Sequence, residues 1–279
     1  MKKSKETRSL RFLYNTAIGR FFLKILTARW LSKLAGKFLD SRASKPLIKR
    51  FVRKNNINLS EYYADNFTCF NDCFTRKIRE GLRPVDALPT SLISPCDSLL
   101  SAYRIDENLV LKIKGSEYRI EDLLNNTMLA EAFRGGVALV FRLCVTHYHR
   151  YIYFDSGNKG ENVFIPGKLH TVRPIALEAL PVFVRNCREY TIMKTDNFGT
   201  AAQIEVGALL VGKIKNHHAE YTFTRGEEKG MFLYGGSTIV LLLEKNRANV
   251  RDDIFLATEK GLETDVMMGE KIGEAIIIK

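Results

Sequence analysis

Hydrophobic and polar positions divide the chain into two regimes. In the first, apolar residues recur at helical spacing: Leu10, Leu13, Tyr14, Ala17, Ile18, Phe21 and Ile25, then Trp30, Leu31, Leu34 and Phe38. Spacings of i, i+3 and i+4 put such positions on one helix face, so residues 9–55 predict helices, with Pro46 opening one of them. The pattern extends over 58–80, predicting a further helix that stops at Gly81. From Leu92 onward the period changes. Short alternating or wholly apolar runs at 109–113, 137–145, 163–165, 204–214, 231–234, 238–243 and 275–278 are punctuated by Gly and Asn/Asp turns, which predicts strands. One helix, near 120–126, interrupts them. The expected class is α+β: a helical N-terminal region, residues 1–57, followed by a mainly antiparallel β body over 58–279.

Charge sharpens this division. Residues 1–54 hold 16 Lys and Arg against Glu6 and Asp40, a net +14, while the rest hold 27 basic and 29 acidic residues, a net −2. The excess of +12 therefore sits in the helical segment. A uniformly basic chain would point to nucleic acid; a basic segment on a near-neutral body points to an electrostatic arm. Arg11, Arg20, Lys24, Arg29, Lys33 and Lys37 interrupt the apolar stripe, so no run approaches the roughly 20 residues that span a bilayer. A secretory signal is not expected either, for want of a clean apolar core and small-residue cleavage site. Basic amphipathic helices carrying Trp and Phe lie in the membrane interface. The other reading is a helical hairpin packed on the protein's own body, and different faces can serve both.

The chain has five cysteines, Cys69, Cys73, Cys96, Cys144 and Cys187. None forms a CxxC pair or a Cys/His cluster with zinc spacing, so neither a structural metal nor a disulfide framework is expected. No GxGxxG follows a strand and no Walker loop occurs, which removes the nucleotide-binding folds.

Three separated segments carry polar residues in apolar surroundings. In "LISPCDSLLSAY" (92–103), Asp97 lies between apolar runs, where a turn would also account for it. In "RLCVTHYHRYIYFDSG" (142–157), a strand would put His147, His149 and Tyr151 on one face. In "YGGSTIV" (234–240), Gly235 and Gly236 precede Ser237, Thr238 and a run of strand formers; a tight turn into a core strand is the plain explanation of those glycines taken alone.

Together these segments resemble the phosphatidylserine decarboxylases, from about residue 67 to the C-terminus. "FNDCFTRKIREGLRPVD" (70–86) looks like that family's opening segment, "SPCDS" its SPxDG, "YHRY" (148–151) its YHR core, and "VGALLVGKI" (206–214) its VGA–VG strand. "YGGSTIV" looks like the self-cleavage motif. "RYIYFDSG", "HTVRPIA" (170–176) and "FVRNCREYT" (183–191) are closest to the bacterial, Clostridium-type branch. Met267 and Met268 before "GEKIG" resemble the turn of a biotinyl-type barrel hybrid, which gives the β body barrel-sandwich-hybrid-like character.

The resemblance implies a proenzyme that cuts itself between Gly236 and Ser237, into a β chain 1–236 and an α chain 237–279. Ser237 would become a covalent pyruvoyl group, the cofactor. Its ketone would form a Schiff base with the amine of phosphatidylserine and accept the electrons released as carbon dioxide leaves, giving phosphatidylethanolamine. Asp97 and a histidine would belong to the cleavage triad, and His149 would assist decarboxylation. The implied partners are a phospholipid substrate, an anionic membrane surface and the two chains of one precursor, with a homodimer as a candidate assembly. The implied place is the cytoplasmic face of the cell membrane, peripherally bound.

Two departures matter. Many members read YHRxH, with the second histidine in the triad; here that position is Ile152, which cannot move a proton. His149 then serves both steps, with His147 as the secondary candidate. Ser98 stands where the family has Gly. Alternatives are a pyruvoyl-dependent decarboxylase of a soluble amino-acid-like substrate, which would need no membrane arm, and a catalytically impaired membrane-bound homologue, which Ile152 keeps open.

Overall fold

The computed structural model describes residue 16 and residues 29–106, 111–113, 116–166, 187–207, 214–234 and 237–277. Most of the basic arm, the stretches 170–176, 183–186 and 208–213, and the pair Gly235–Gly236 lie outside the described residues. Two N-terminal helices, Arg29–Leu39 and Pro46–Asn55, match the predicted periodicity. Pro46 occupies the first turn, where its missing N–H leaves no gap. Asn56, left-handed at φ 50°, ends the second helix. Leu39, Ile48 and Phe51 are buried against Phe70, Cys73 and Phe74, whereas Leu34, Phe38 and Leu47 on the same elements are exposed. Among the described residues no helix is long and apolar enough to cross a membrane.

The helix expected over 58–80 does not form as one piece. Only a single 3-10 turn at Leu59–Glu61 and a short helix at Phe70–Phe74 are helical. Side chains compete with the backbone here. Asn58 accepts from the Ser60 N–H at 3.3 Å, and Asp72 reaches back to the N–H groups of Thr68 and Cys69 at 2.9 and 3.3 Å, starting a new helix. Tyr62 then bridges Ile78 in extended backbone.

The β body follows in chain order. Its first strands are β1 (Ser91–Ile93), β2 (Ser98–Arg104), β3 (Leu111–Ile113), β4 (Ser116–Tyr118), β5 (Val137–Leu143) and β6 (Arg150–Ile152). Then come β7 (Gly157–Lys159), β8 (Val163–Ile165), β9 (Arg188–Thr195), β10 (Gly199–Val206) and β11 (Ile214–Asn216). The last are β12 (Tyr221–Phe223), β13 (Glu228–Phe232), β14 (Ser237–Leu243), β15 (Ala248–Val250), β16 (Thr264–Val266) and β17 (Lys271–Ala275). A short helix at Ile120–Leu124 falls where one was predicted; the helices Thr127–Glu131 and Asp252–Glu259 were not predicted.

All pairings are antiparallel. The central sheet runs β12-β7-β9-β10-β14-β5-β2-β16, with β8 also on β9. Smaller sheets are β1-β17-β15, β11-β13-β6 and the hairpin β3-β4; among the described residues none closes into a barrel. The strand β14 lies between β10 and β5 and is buried along its whole length. Its two faces feed different cores. Val240 and Leu242 join the cluster under Leu123, Leu124 and Phe133, while Ile239, Leu241 and Leu243 join the larger cluster with Phe141, Phe154 and Phe232. That two-sided burial explains the unbroken apolar run "IVLLL".

A polar layer lies inside the second core. Lys229 Nζ donates to Glu205 Oε1 at 2.7 Å and to Asn216 Oδ1 at 2.9 Å, with both ionic side chains fully buried. Tyr151 also donates to Asn216 Oδ1, at 3.1 Å, which ties β6 to β11 and β13.

Candidate active site

Ser237 opens β14, and the sheet register fixes its neighbours. It pairs with Leu143 of β5, and Leu99 of β2 pairs with Arg142 of β5. Continuing that register by one residue sets Ser98 beside Leu143. Asp97, the next residue, thus reaches the same end of the sheet as Cys144 and the start of β14. Two strand spacings separate β2 from β14, about 10 Å, so Asp97 and Ser237 cannot touch directly. The strand between them, β5, runs straight into the loop that carries His147 and His149.

That loop is a turn, not a strand: β6 begins only at Arg150, so the expected shared face of His147, His149 and Tyr151 does not form. The physical reason lies in the loop's own hydrogen bonds. The Cys144 N–H donates to His147 Nδ1 at 3.1 Å, and the His147 N–H donates to the Cys144 carbonyl at 2.9 Å, which closes a tight turn.

The two rings consequently hold opposite tautomers. His149 Nδ1 lies 2.8 Å from the His147 carbonyl oxygen. A carbonyl only accepts, so Nδ1 carries the proton and the neutral ring has its lone pair on Nε2, as a general base requires. His147 accepts at Nδ1, so its neutral ring carries the proton on Nε2. His149 is completely buried, with its ring 4.1 Å from that of Phe74. Phe74 in turn meets Tyr234 at 5.1 Å, and the Phe232 N–H donates to the His149 carbonyl at 2.9 Å. The segment entering Ser237 therefore starts against His149.

His147 is half-buried on the other side of β5. Burial pushes its imidazole below the ordinary histidine range, against the pull of Asp265 and Asp97. Nearby, Arg142 pairs with Glu263 at 2.5 Å and donates to Cys144 Sγ at 3.1 Å.

Asp97 is buried, but its hydrogen-bond partner is not a histidine. Arg83 grips it side-on, Nη2 to Oδ2 at 2.7 Å and Nε to Oδ1 at 2.8 Å, and the Met268 N–H donates to Oδ1 at 2.8 Å. The structure thus brings Asp97, His147 and His149 to one end of the sheet with Ser237, yet orients His149 through a backbone carbonyl. Arg83 belongs to the 70–86 segment that resembles the family's opening segment. Gly236, the residue before the expected cut, lies outside the described residues.

Ser237 Oγ is buried and, among the described residues, has no hydrogen-bond partner; Ser98 Oγ and Thr238 Oγ1 are in the same condition. The face that Ser237 shares with Ile239 and Leu241 is the face of the larger core, and Ile152 belongs to that core at 4% exposure. The Ile152 N–H donates to the Pro95 carbonyl at 2.9 Å, which sets this side chain beside the SPCD segment. An aliphatic group thus fills a position in the larger core, with its backbone against Pro95 of the SPCD segment. Among the described residues no cluster of His, Cys, Asp and Glu could hold a metal ion.

Comparison with known proteins agrees with these motifs. The family profile described as phosphatidylserine decarboxylase matches residues 70–274. Phosphatidylserine decarboxylase proenzyme 2 of Clostridium acetobutylicum is 45% identical over 274 residues, covering 98% of this chain and 94% of the relative. The corresponding proenzyme of Ruminiclostridium cellulolyticum is 42% identical over 96% of this chain and 92% of its own length. That of Clostridium tetani is 38% identical over 100% and 96%. With the profile matching residues 70–274 and relatives matching nearly end to end, the chain belongs to the phosphatidylserine decarboxylase family.

Proposed function

We propose that this chain is a self-processing decarboxylase that converts phosphatidylserine to phosphatidylethanolamine and carbon dioxide. The observation that carries the reading is a buried serine hydroxyl at the head of a central strand, with a buried histidine at the same end of the sheet whose tautomer leaves the lone pair on Nε2. The relatives' names, phosphatidylserine decarboxylase proenzyme, supply the reaction and the idea of a precursor.

In this reading Ser237 Oγ attacks the Gly236 carbonyl carbon and gives its proton to His149 Nε2. The C–N bond breaks as a C–O ester bond forms, and the amine of residue 237 is released. β-Elimination then frees Gly236 as a carboxyl terminus and leaves dehydroalanine at 237. Water converts that to a pyruvoyl group with loss of ammonia. The buried position of Ser237 suits such a group, which works best where water is excluded. The pyruvoyl group supplies an electron sink for the pair released when carbon dioxide departs.

The chain's own residues supply the rest. His149 holds or returns a proton at Nε2, and Phe74 and Tyr234 keep water from that ring. Asp97 acts electrostatically on the histidine loop, with His147 as the neighbour that feels its charge. After cleavage the fragment 237–279 stays in place, since β14 is hydrogen-bonded on both sides to strands of the fragment 1–236. The protein works at the cytoplasmic face of the cell membrane: the sequence of the N-terminal arm is basic, and Leu34, Phe38 and Leu47 are exposed, a combination suited to anionic lipid.

The test is release of carbon dioxide and phosphatidylethanolamine from phosphatidylserine vesicles, with Ser237→Ala as control. Product from wild type and none from the variant is expected. Equal turnover by both would refute the role of Ser237. No turnover by a fully cleaved wild type would leave the soluble-substrate decarboxylase. An uncleaved, inactive wild type would favour the impaired homologue, which the aliphatic Ile152 makes a specific rival.

A further inference from the structure

Asp97 sits at a crossing of three segments. Ser94 accepts from the Gly269 N–H at 2.9 Å and donates its own N–H to Glu270 O at 2.8 Å, which lays the 267–270 turn along SPCD. The Asp86 N–H donates to Gly269 O at 3.0 Å, which lays the 83–86 stretch on that turn. Gly269 has φ +85°, and a Cβ there would meet the Pro84 carbonyl at 2.6 Å, so only glycine permits this approach. The consequence is that Arg83 reaches Asp97 across a closely packed backbone. Their side chains are 12% and 10% exposed.

The contact is geometrically demanding. A carboxylate offers about four lone-pair directions. Four N–H contacts take them up, two on Oδ1 at 2.8 and 2.8 Å and two on Oδ2 at 2.7 and 3.1 Å, with Arg83 Nε shared between the two oxygens. The neutral His147, which carries its proton on Nε2, and Tyr148 are members of the adjoining loop on which the Asp97 charge acts. A guanidinium fork fixes the carboxylate plane as an ammonium cannot.

We propose that Arg83 is a positioning residue for Asp97, fixing the carboxylate plane at the histidine-loop end of the sheet during self-cleavage. The assignment rests on the self-cleavage reading. Arg83 touches neither Ser237 nor a histidine in the hydrogen-bond network, and acts through Asp97 alone.

The test follows conversion of full-length chain to fragments after cell-free synthesis, for Arg83→Gln, Arg83→Lys, Asp97→Asn and the Arg83→Gln/Asp97→Asn pair. Arg83→Gln should slow cleavage roughly tenfold or more, the size of a lost charged hydrogen bond. Arg83→Lys should recover part of that rate, because it keeps the charge and loses the fork. The double variant should be no slower than the slower single, since both remove one interaction. Losses that multiply in the double variant, or a wild-type rate in Arg83→Gln, would overturn the proposal. If Arg83→Gln does not fold, Arg83→Lys decides: a folded lysine variant cleaving at the wild-type rate also overturns it. Wild-type cleavage by Asp97→Asn would instead sink Asp97's part in the self-cleavage reading.

Discussion

Replacing Ile152 by histidine would put an ionisable ring where the structure has an aliphatic one. Ile152 is 4% exposed and packs in the core that lines the Ser237 face. Burying an isoleucine contributes about 1.5–3 kcal/mol. The imidazole keeps part of that as ring packing, but each buried nitrogen without a partner costs about 1–3 kcal/mol. A net loss of about 1–4 kcal/mol follows, or roughly 2–4 °C in Tm for each kcal/mol. Against this stands the general base that the YHRxH pattern carries at this position, worth about 10²–10⁴ in rate. The gain is most visible where the native base is gone. His149→Ala should cleave slowly, and His149→Ala/Ile152→His should cleave at least about tenfold faster than it. The assay is a denaturing-gel time course after cell-free synthesis, with Tm measured on the Ser237→Ala version of each. A folded double variant no faster than His149→Ala would refute the idea that a base at residue 152 serves the serine. A wild-type rate in His149→Ala would remove His149 as the base.

Three further expectations follow from the same coordinates. Lys229→Met strands Glu205 in the core and should cost about 3–5 kcal/mol, while Lys229→Met/Glu205→Gln should cost less; urea unfolding checks this, and a single variant costing nothing would deny the buried pair. The depressed pKa of His147 means the unfolded chain binds its proton first as pH falls. This contribution to stability is therefore full above the ordinary histidine value of about 6.5 and is lost as pH falls from there toward the lower folded value. His147→Gln should flatten that part of the urea-midpoint profile between about pH 7.5 and 5, and an unchanged slope would contradict it. Deleting residues 1–28, which leaves Leu39 in its core, should weaken binding to anionic vesicles by up to about 1 kcal/mol per basic residue near the surface, less at high salt; equal binding by a folded truncation would mean the membrane contact lies elsewhere.

The strands were legible where burial leaves a clear signature. Ile239–Leu243 is apolar on both faces because both faces are covered, and 137–145 was placed for a similar reason, whereas 163–165 was placed by its strand-forming residues although Val163 and Phe164 are exposed. The helix expected over 58–80 failed because Asn58 and Asp72 spend their side chains on local N–H groups, an effect that apolar spacing does not encode. Asp252–Glu259 was missed because only Ile254 in it is buried, so it carries little periodic signal. At the candidate site, motifs singled out Asp97, His149 and Ser237, and the strand register brings them to one end of the sheet. Arg83 was visible as a motif residue, but its role needed the register that crosses it with SPCD and the Met267–Glu270 turn. The opposite tautomers of His147 and His149 depend on backbone hydrogen bonds in one turn, which no spacing rule predicts.

The central claim is that Ser237 becomes the cofactor, and intact mass of the denatured wild-type protein tests it most directly. Two species should appear, residues 1–236 with a free carboxyl terminus and residues 237–279 lighter by one ammonia than a serine-terminated fragment, while Ser237→Ala stays a single chain. A 237–279 fragment that begins with an ordinary serine, or an active protein that remains one 279-residue chain, would contradict the account.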